Sequence, residues 1–159
     1  MKKLLLVVLV VAVGIGGWRW RAAGDPEAAS KLIANRIWLD HIPRNDKDTV
    51  QVFIALSEHS AGVFNASSQW RGSYEVFRYE AQGGELRVVY PQTGKRETIH
   101  ARATRCKEKD MDYCLELEGA SRGVKRYYSC DGWEIDGGLA AARLRVDTVL
   151  AQLEAAPSP

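Results

Sequence analysis

The sequence has few of the residues that carry catalytic or metal chemistry. Its 159 residues include three histidines and three cysteines. It has no Gly-x-Ser-x-Gly elbow, no phosphate loop and no dinucleotide fingerprint. It also has no Cys-x-x-Cys pair, and no histidine lies close in sequence to a cysteine, so the usual ligand spacing of a zinc site is missing. We therefore expect no catalytic residues, no metal site and no cofactor, and we do not expect an enzyme.

A large charge excess, low-complexity runs and internal repeats are also missing. The formal net charge is +2, and basic residues alternate with acidic ones along the chain. Such a balance is too small to indicate a nucleic-acid partner. The composition is that of one ordinary folded domain.

The N-terminus carries the one long apolar run. Lys2 and Lys3 precede residues 4–17, which contain no charged side chain. The run is long for the apolar part of a signal peptide, roughly 7–15 residues, and short for a membrane span of about 20. No cysteine follows it closely, which argues against a lipoprotein-type anchor. We therefore predict that residues 1–24 direct export in a bacterial-type cell.

Two interpretations of this segment stay open. In the first, the small residues at 22–24 are followed by cleavage before Asp25. In the second, the Trp-Arg-Trp-Arg stretch at 18–21 lies at the membrane interface and closes a retained anchor. Both interpretations place the protein in the periplasm or on the outer face of the inner membrane.

Beyond this segment the dominant signal is of short strands separated by turns. A short helix is predicted first, at 26–34, because Asp25 can cap it and Pro26 suits its first position. Short alternating or apolar runs at a spacing of roughly 8–12 residues indicate a mainly β fold, an antiparallel barrel or strongly curved sheet. The predicted strands, about eight, lie at 37–41, 49–57, 61–66, 73–81, 85–90, 96–106, 112–118 and 124–130.

A helix is predicted at 139–154, outside the β structure. It has one apolar stripe at helical spacing, and a helix with one apolar side must pack on another element. The domain is therefore predicted at 25–154, followed by a disordered tail at 155–159. The stripe consists of Leu139, Ala142, Val146, Val149, Leu150 and Leu153.

The three cysteines agree with export, because an oxidising compartment permits a disulfide. An odd number leaves at least one thiol. If the strands at 96–106 and 112–118 form a hairpin, Cys106 faces Cys114, and we predict a disulfide between them. A second hairpin brings Cys130 beside Cys114 as well, so Cys114 has two candidate partners. The favoured register also pairs Thr104 with Glu116, Arg102 with Glu118 and Ala103 with Leu117.

The order of elements resembles that of the lipocalins and the wider calycin group. A short helix, a tryptophan at the first strand, about eight antiparallel strands and a C-terminal helix occur in both. The run Asn35-Arg36-Ile37-Trp38 corresponds to the family's Gly-x-Trp, although the glycine is missing. The resemblance implies an arginine stacked over Trp38, a role that Arg126 can fill. It further implies a cup for a small apolar ligand.

We therefore expect a non-catalytic protein that binds a small hydrophobic or amphipathic ligand or lipid. The alternative is a structural or protein-interaction module of the cell envelope, because small barrels are also found packed solid. Inward-facing aromatic side chains with a polar group make an amphipathic cavity, and an arginine inside can meet a carboxylate. The predicted ligand-binding residues are Trp38, Phe53, Phe77, Arg78, Tyr79, Tyr113 and Tyr127.

Overall fold

Eight antiparallel strands form a closed barrel, and one helix packs against its outside. A computed structural model describes residues 31–45, 47–68 and 72–155. The predicted export segment at 1–24, most of the predicted helix at 26–34 and nearly all of the tail lie outside these residues. Of that first helix, residues 31–34 are described; 31–33 are helical and residue 34 is not. The predicted fold class is confirmed.

Each strand pairs with its neighbours in chain order, and β1 closes the barrel against β8. The boundaries differ from the predicted ones by no more than a few residues at most ends. The strands are Trp38–Leu39 (β1), Val50–Leu56 (β2), Ala61–Ser67 (β3), Gly72–Gln82 (β4), Glu85–Val89 (β5), Arg96–Glu108 (β6), Met111–Glu118 (β7) and Arg126–Ser129 (β8), and the helix is Leu139–Ala155 (α1).

The alternation of side chains along the strands decides what the barrel encloses. Successive side chains point to opposite faces of a sheet, so Phe53, Phe64 and Phe77 all point inward through the paired strands β2, β3 and β4. The inward set forms one buried cluster. Its members are Ile33, Trp38, Phe53, Ala55, Phe64, Phe77, Tyr79, Leu86, Val88, Tyr90, Ile99, Ala101, Ala103, Tyr113, Leu115, Leu117 and Tyr127.

A second apolar cluster lies outside the barrel, under α1. Outward side chains of β1 and β2, such as Leu39 and Val52, meet the apolar stripe of the helix there. Ala142 and Val149 are buried in this cluster. Val146, Leu150 and Leu153 pack against its edge, so the predicted packing of the C-terminal helix is confirmed for these residues.

The disulfide joins the predicted cysteines, in a different register. Cys106 and Cys114 are bonded, with their Cα atoms 5.7 Å apart. However, Cys114 lies opposite Thr104, because the pairing of β6 with β7 shifts between Arg105 and Glu108. The predicted register was therefore wrong by two residues, which keeps every side chain on its predicted face. Arg102 faces Glu116 and Ala103 faces Leu115, and Cys130 is a free thiol.

The register shift folds the tip of the β6–β7 hairpin onto the outer face of β8. Glu108 accepts a hydrogen bond from Arg126, at 2.6 Å. Lys109 lies 4.5 Å from the centre of the Tyr128 ring. Both Lys109 and Asp110 have positive φ angles, 54° and 61°, which gives the tight turn that a bulged hairpin needs. The disulfide fixes the strand at the point where it bends.

Candidate functional site

Most of the side chains predicted to line a ligand cup pack against one another. The ring of Phe53 lies 5.1 Å from that of Phe64 and 5.8 Å from that of Phe77, measured between centroids. Tyr127 lies 5.9 Å from Phe53, and Tyr79 lies 6.1 Å from Phe77. These are contact distances for aromatic rings. The middle of the barrel is therefore filled by its own side chains.

Trp38 and Tyr113 also belong to this buried cluster. The indole nitrogen of Trp38 donates to the carbonyl oxygen of Ile33, 3.0 Å away. This bond holds the segment before β1 against the end of the barrel. Both aromatic side chains have partners within the protein, as buried polar groups require.

Arg78 does not share the interior with these residues. It lies opposite Val89 and Ala61 on the outer face of the barrel, and it is exposed. The alternation of β4 requires this, because Arg78 sits between the inward-facing Phe77 and Tyr79. It therefore has no access to an interior ligand.

Arg36, two residues before Trp38, closes one end of the barrel. Arg36 is buried and lies 4.3 Å from the centre of the Tyr113 ring. It donates to the carbonyl oxygen of Cys130 at 2.7 Å and is paired with Glu134. We call this the Arg36 end. Arg126 does not stack over Trp38, because its guanidinium lies outside the barrel, 5.8 Å from the Tyr128 ring centre.

Tyr113 joins a polar network at the same end. Its hydroxyl donates to Asp131 at 2.5 Å and accepts from Arg105 at 2.9 Å. The bond to Asp131 and burial both raise the pKa of Tyr113. The guanidinium of Arg105 also lies 5.0 Å from the ring centre, so Arg105 and Arg36 together cover this end.

The opposite end is closed by a second polar network, and we call it the Arg122 end. Arg122 pairs with Glu75 and lies 5.4 Å from the centre of the Tyr90 ring. The Tyr90 hydroxyl donates to Glu97, and burial followed by this bond raises the pKa of Tyr90 strongly. Burial alone favours the neutral form of Glu97, but hydrogen bonds from Ser121 and Tyr90 outweigh it and lower the pKa of Glu97.

A small apolar cavity remains at the Arg36 end. It measures about 290 Å³, and its walls include Ile33, Ala55, Ala81 and Leu86. The ring of Tyr79 lies beside it, and burial raises the pKa of that tyrosine. The Tyr79 hydroxyl makes no hydrogen bond to any residue that the structure describes. The volume of this cavity is just below the range of about 300–1,000 Å³ that ligand pockets occupy.

A larger concavity lies on the outside, over β4, β5 and β6. It is an open groove of about 940 Å³. Arg78, Arg87 and Arg96 line it, one from each strand, and Val89 lies between two of them. We call this surface the arginine groove. None of the three arginines forms an ion pair with a residue that the structure describes, which distinguishes them from the paired arginines at the two ends.

The histidines do not come together. His41 lies 2.8 Å from Asp40 and 3.1 Å from Asp48, His59 lies 4.0 Å from Glu58, and His100 lies 3.7 Å from Glu85. Across the described ranges, no three histidine, cysteine or carboxylate side chains are placed to hold a metal ion.

Comparison of the chain with protein-family models, curated proteins and solved structures found no match to any of them. The resemblance to the lipocalins therefore stays a prediction drawn from the sequence pattern. Within the part of the chain that the structure describes, no helix combines the length and apolar character that crossing a membrane requires.

Sequence reasoning missed three features of the candidate site. Arg36 was noted only as a neighbour of Trp38, although its position two residues earlier gives it the same inward direction. Arg87 and Arg96 were not selected either. The alternation of side chains along β5 and β6 could have identified them, because it places both on the outward face, near Arg78.

Proposed function

We propose that this protein is a non-catalytic interaction module of the cell envelope, built on a solid barrel, and that it binds its partner on its outer surface. The observation that carries the proposal is the filled interior. Phe53, Phe64, Phe77 and Tyr127 occupy the middle of the barrel at mutual contact distances. A carrier of lipid-sized ligands needs that space empty.

The envelope location is supported by two independent features of the chain. The uncharged run at 4–17 is typical of an export segment. The Cys106–Cys114 bridge is of a kind that persists in oxidising compartments. Export is thus part of the proposal, and the exact membrane association is left to the two interpretations of residues 1–24.

The proposal is tested by titrating benzene, a small uncharged apolar probe, into the full-length protein and measuring binding by calorimetry. The control is Phe77→Ala, which removes the ring at the centre of the aromatic cluster and opens a cavity there. Such cavities bind small apolar molecules. We expect no saturable site in the middle of the native barrel and a new site there in Phe77→Ala, with Phe77→Leu as a milder substitute if the alanine variant does not fold.

A native protein that binds benzene saturably, and still does so when Ala81→Phe fills the cavity at the Arg36 end, contradicts the solid barrel. The apolar N-terminal run is identical in all variants. Any benzene that it binds is therefore common to every measurement and cancels in the comparison.

A second candidate function is favoured by the cavity at the Arg36 end. Its apolar wall and the unengaged Tyr79 hydroxyl suit a small amphipathic molecule, such as a short fatty acid, with its polar group at the tyrosine. The probe is octanoate, measured by calorimetry. We expect Ala81→Phe, which projects into the cavity, to abolish binding, and Ala151→Phe, on the exposed face of α1, to leave it unchanged. Absence of octanoate binding to the native protein eliminates this candidate.

A further inference from the structure

The arginine groove concentrates positive charge on three adjacent strands. Arg78 on β4 and Arg96 on β6 both lie opposite Val89 on β5. Arg87 lies two residues before Val89 on the same outward face. Strands are separated by about 4.8 Å and rise by about 3.4 Å per residue. The three positions therefore form a triangle with sides of roughly 8–10 Å.

A triangle of this size lets three long side chains reach one common point above Val89. Guanidinium groups are planar forks that match phosphate and carboxylate oxygens with two parallel hydrogen bonds. Three forks that converge on one point suit a compact group with several charges. An extended acidic chain does not match a closed triangle as well.

Acidic side chains near the groove do not neutralise it. Glu80 lies opposite Arg87 in the pairing of β4 with β5, but no ion pair joins the two. Glu97 also borders the groove, yet its carboxylate faces the barrel interior, where Tyr90 and Ser121 donate to it. Among the described residues at the groove, three arginines therefore face one outward carboxylate.

Three arginines elsewhere in the protein are paired with carboxylates, unlike the three in the groove. Arg36 is bonded to Glu134, Arg122 to Glu75 and Arg126 to Glu108. Each of these three guanidinium groups therefore has a carboxylate partner. In the groove, three like charges lie on neighbouring strands without such partners, and an added anion relieves their mutual repulsion.

From this geometry we propose that the arginine groove is a binding site for a compact phosphate-bearing group, held by Arg78, Arg87 and Arg96. The phosphate belongs either to a soluble phosphorylated molecule or to the headgroup of an anionic lipid. This site deepens the proposed function, because it gives the interaction module a ligand on its outer surface.

The first experiment uses inorganic pyrophosphate as the probe and calorimetry as the readout. Sodium chloride at matched ionic strength controls for screening. We expect saturable binding to the full-length protein and a higher unfolding temperature in its presence. Each single variant, Arg78→Gln, Arg87→Gln or Arg96→Gln, is expected to weaken binding by at least about tenfold, since each removes charge-assisted hydrogen bonds to the phosphate oxygens.

The matched control is Arg102→Gln. Arg102 is also an exposed arginine on the outer face of β6, and it does not line the groove. Its removal changes the net charge by the same amount and should leave pyrophosphate binding unchanged. An equal loss in Arg102→Gln and Arg87→Gln shows a general charge effect and overturns the proposal.

A second experiment distinguishes the two sources of phosphate. Sedimentation with vesicles of phosphatidylcholine alone is compared with sedimentation with vesicles that also contain phosphatidic acid. The native protein and the triple glutamine variant share the same N-terminal segment, so their difference reports the groove. A phosphatidic-acid-dependent difference that pyrophosphate abolishes assigns a lipid headgroup, whereas pyrophosphate binding without such a difference assigns a soluble ligand.

The proposal fails if neither pyrophosphate nor phosphatidic acid binds in an arginine-dependent way. Binding of polyglutamate without binding of pyrophosphate also overturns it, because the groove then recognises an acidic chain. Failure here is separate from failure of the solid barrel. The benzene titration measures the interior, and the probe carries no charge that would bind it to the arginines of the groove.

Discussion

Gly62 on β3 lies directly opposite Phe77 on β4, and it leaves the space that the phenylalanine ring occupies. A Cβ atom at position 62 would lie 2.3 Å from the ring and 2.3 Å from the carbonyl oxygen of Ile54. Neither distance is compatible with ordinary van der Waals contact. The wall of the barrel is therefore reduced to backbone at the point where the interior is most crowded.

Gly62→Ala should accordingly destabilise the protein. Overpacking of a filled core costs about 1–3 kcal/mol, and the clash with backbone leaves little room for relief. Gly72→Ala is the control, because its Cβ atom would meet nothing closer than the Cβ of Ser67 at 3.8 Å. Urea unfolding of both variants measures the free energies, and equal effects would show that the interior is not tightly filled near Phe77.

The contact between α1 and the barrel gives a second prediction. Val149 is 1% exposed, whereas Leu144 on the same helix is 70% exposed. Val149→Asp buries an unpaired charge and should lower the free energy of unfolding by several kcal/mol. Leu144→Asp should change it by less than about 0.5 kcal/mol. If Val149→Asp is tolerated equally well, the helix does not dock in solution as the structure has it.

The disulfide is expected to stabilise the bend of β6. The loop between Cys106 and Cys114 spans a sequence separation of eight residues, and closing a loop of this length contributes about 2–3 kcal/mol in the chain-entropy model. Cys106→Ser should lose this contribution, and Cys130→Ser, which removes the free thiol, should keep it. Intact mass before and after reduction reports the bridge directly, and a Cys130→Ser protein without a bridge would show that Cys114 pairs with Cys130.

Stability should fall in acid because of Glu97. Its pKa is lower in the folded protein than its ordinary value of 4.5, so the folded state binds fewer protons than the unfolded state in this range. The stabilisation is therefore present above about pH 4.5 and is lost as the pH falls through the folded-state pKa. Glu97→Gln should be less stable at neutral pH and should lose less stability on acidification. Urea unfolding from pH 3 to about 7 tests this, and parallel profiles for both proteins would contradict it.

Hydrophobic alternation predicted the faces of the strands but not their register. The pattern placed Cys106, Cys114 and Thr104 on one face, as the structure has them. A shift by two residues preserves every face, so nothing in the alternation distinguished the predicted pairing from the observed one. The bulge after Arg105 decides the register, and its signal is a turn at Lys109 that the sequence marks weakly.

The sequence pattern also could not predict whether the barrel encloses a cavity or a filled core. Inward aromatics such as Phe53 and Tyr127 are compatible with a lined cavity and with a filled core. The difference depends on whether their rings meet across the barrel, which is a matter of volume in three dimensions. For Arg78 the pattern did contain the answer, because it alternates with Phe77 and Tyr79 and must point the other way.

Native mass spectrometry of the full-length protein, purified from cells without added ligand, tests the solid barrel most directly. A solid barrel predicts the mass of the bare chain. A phosphate-bearing adduct is also compatible with it, provided that the Arg78, Arg87 and Arg96 variants lose that adduct. An apolar, lipid-sized adduct that those variants retain, and that Phe77→Ala alters, would contradict the solid barrel.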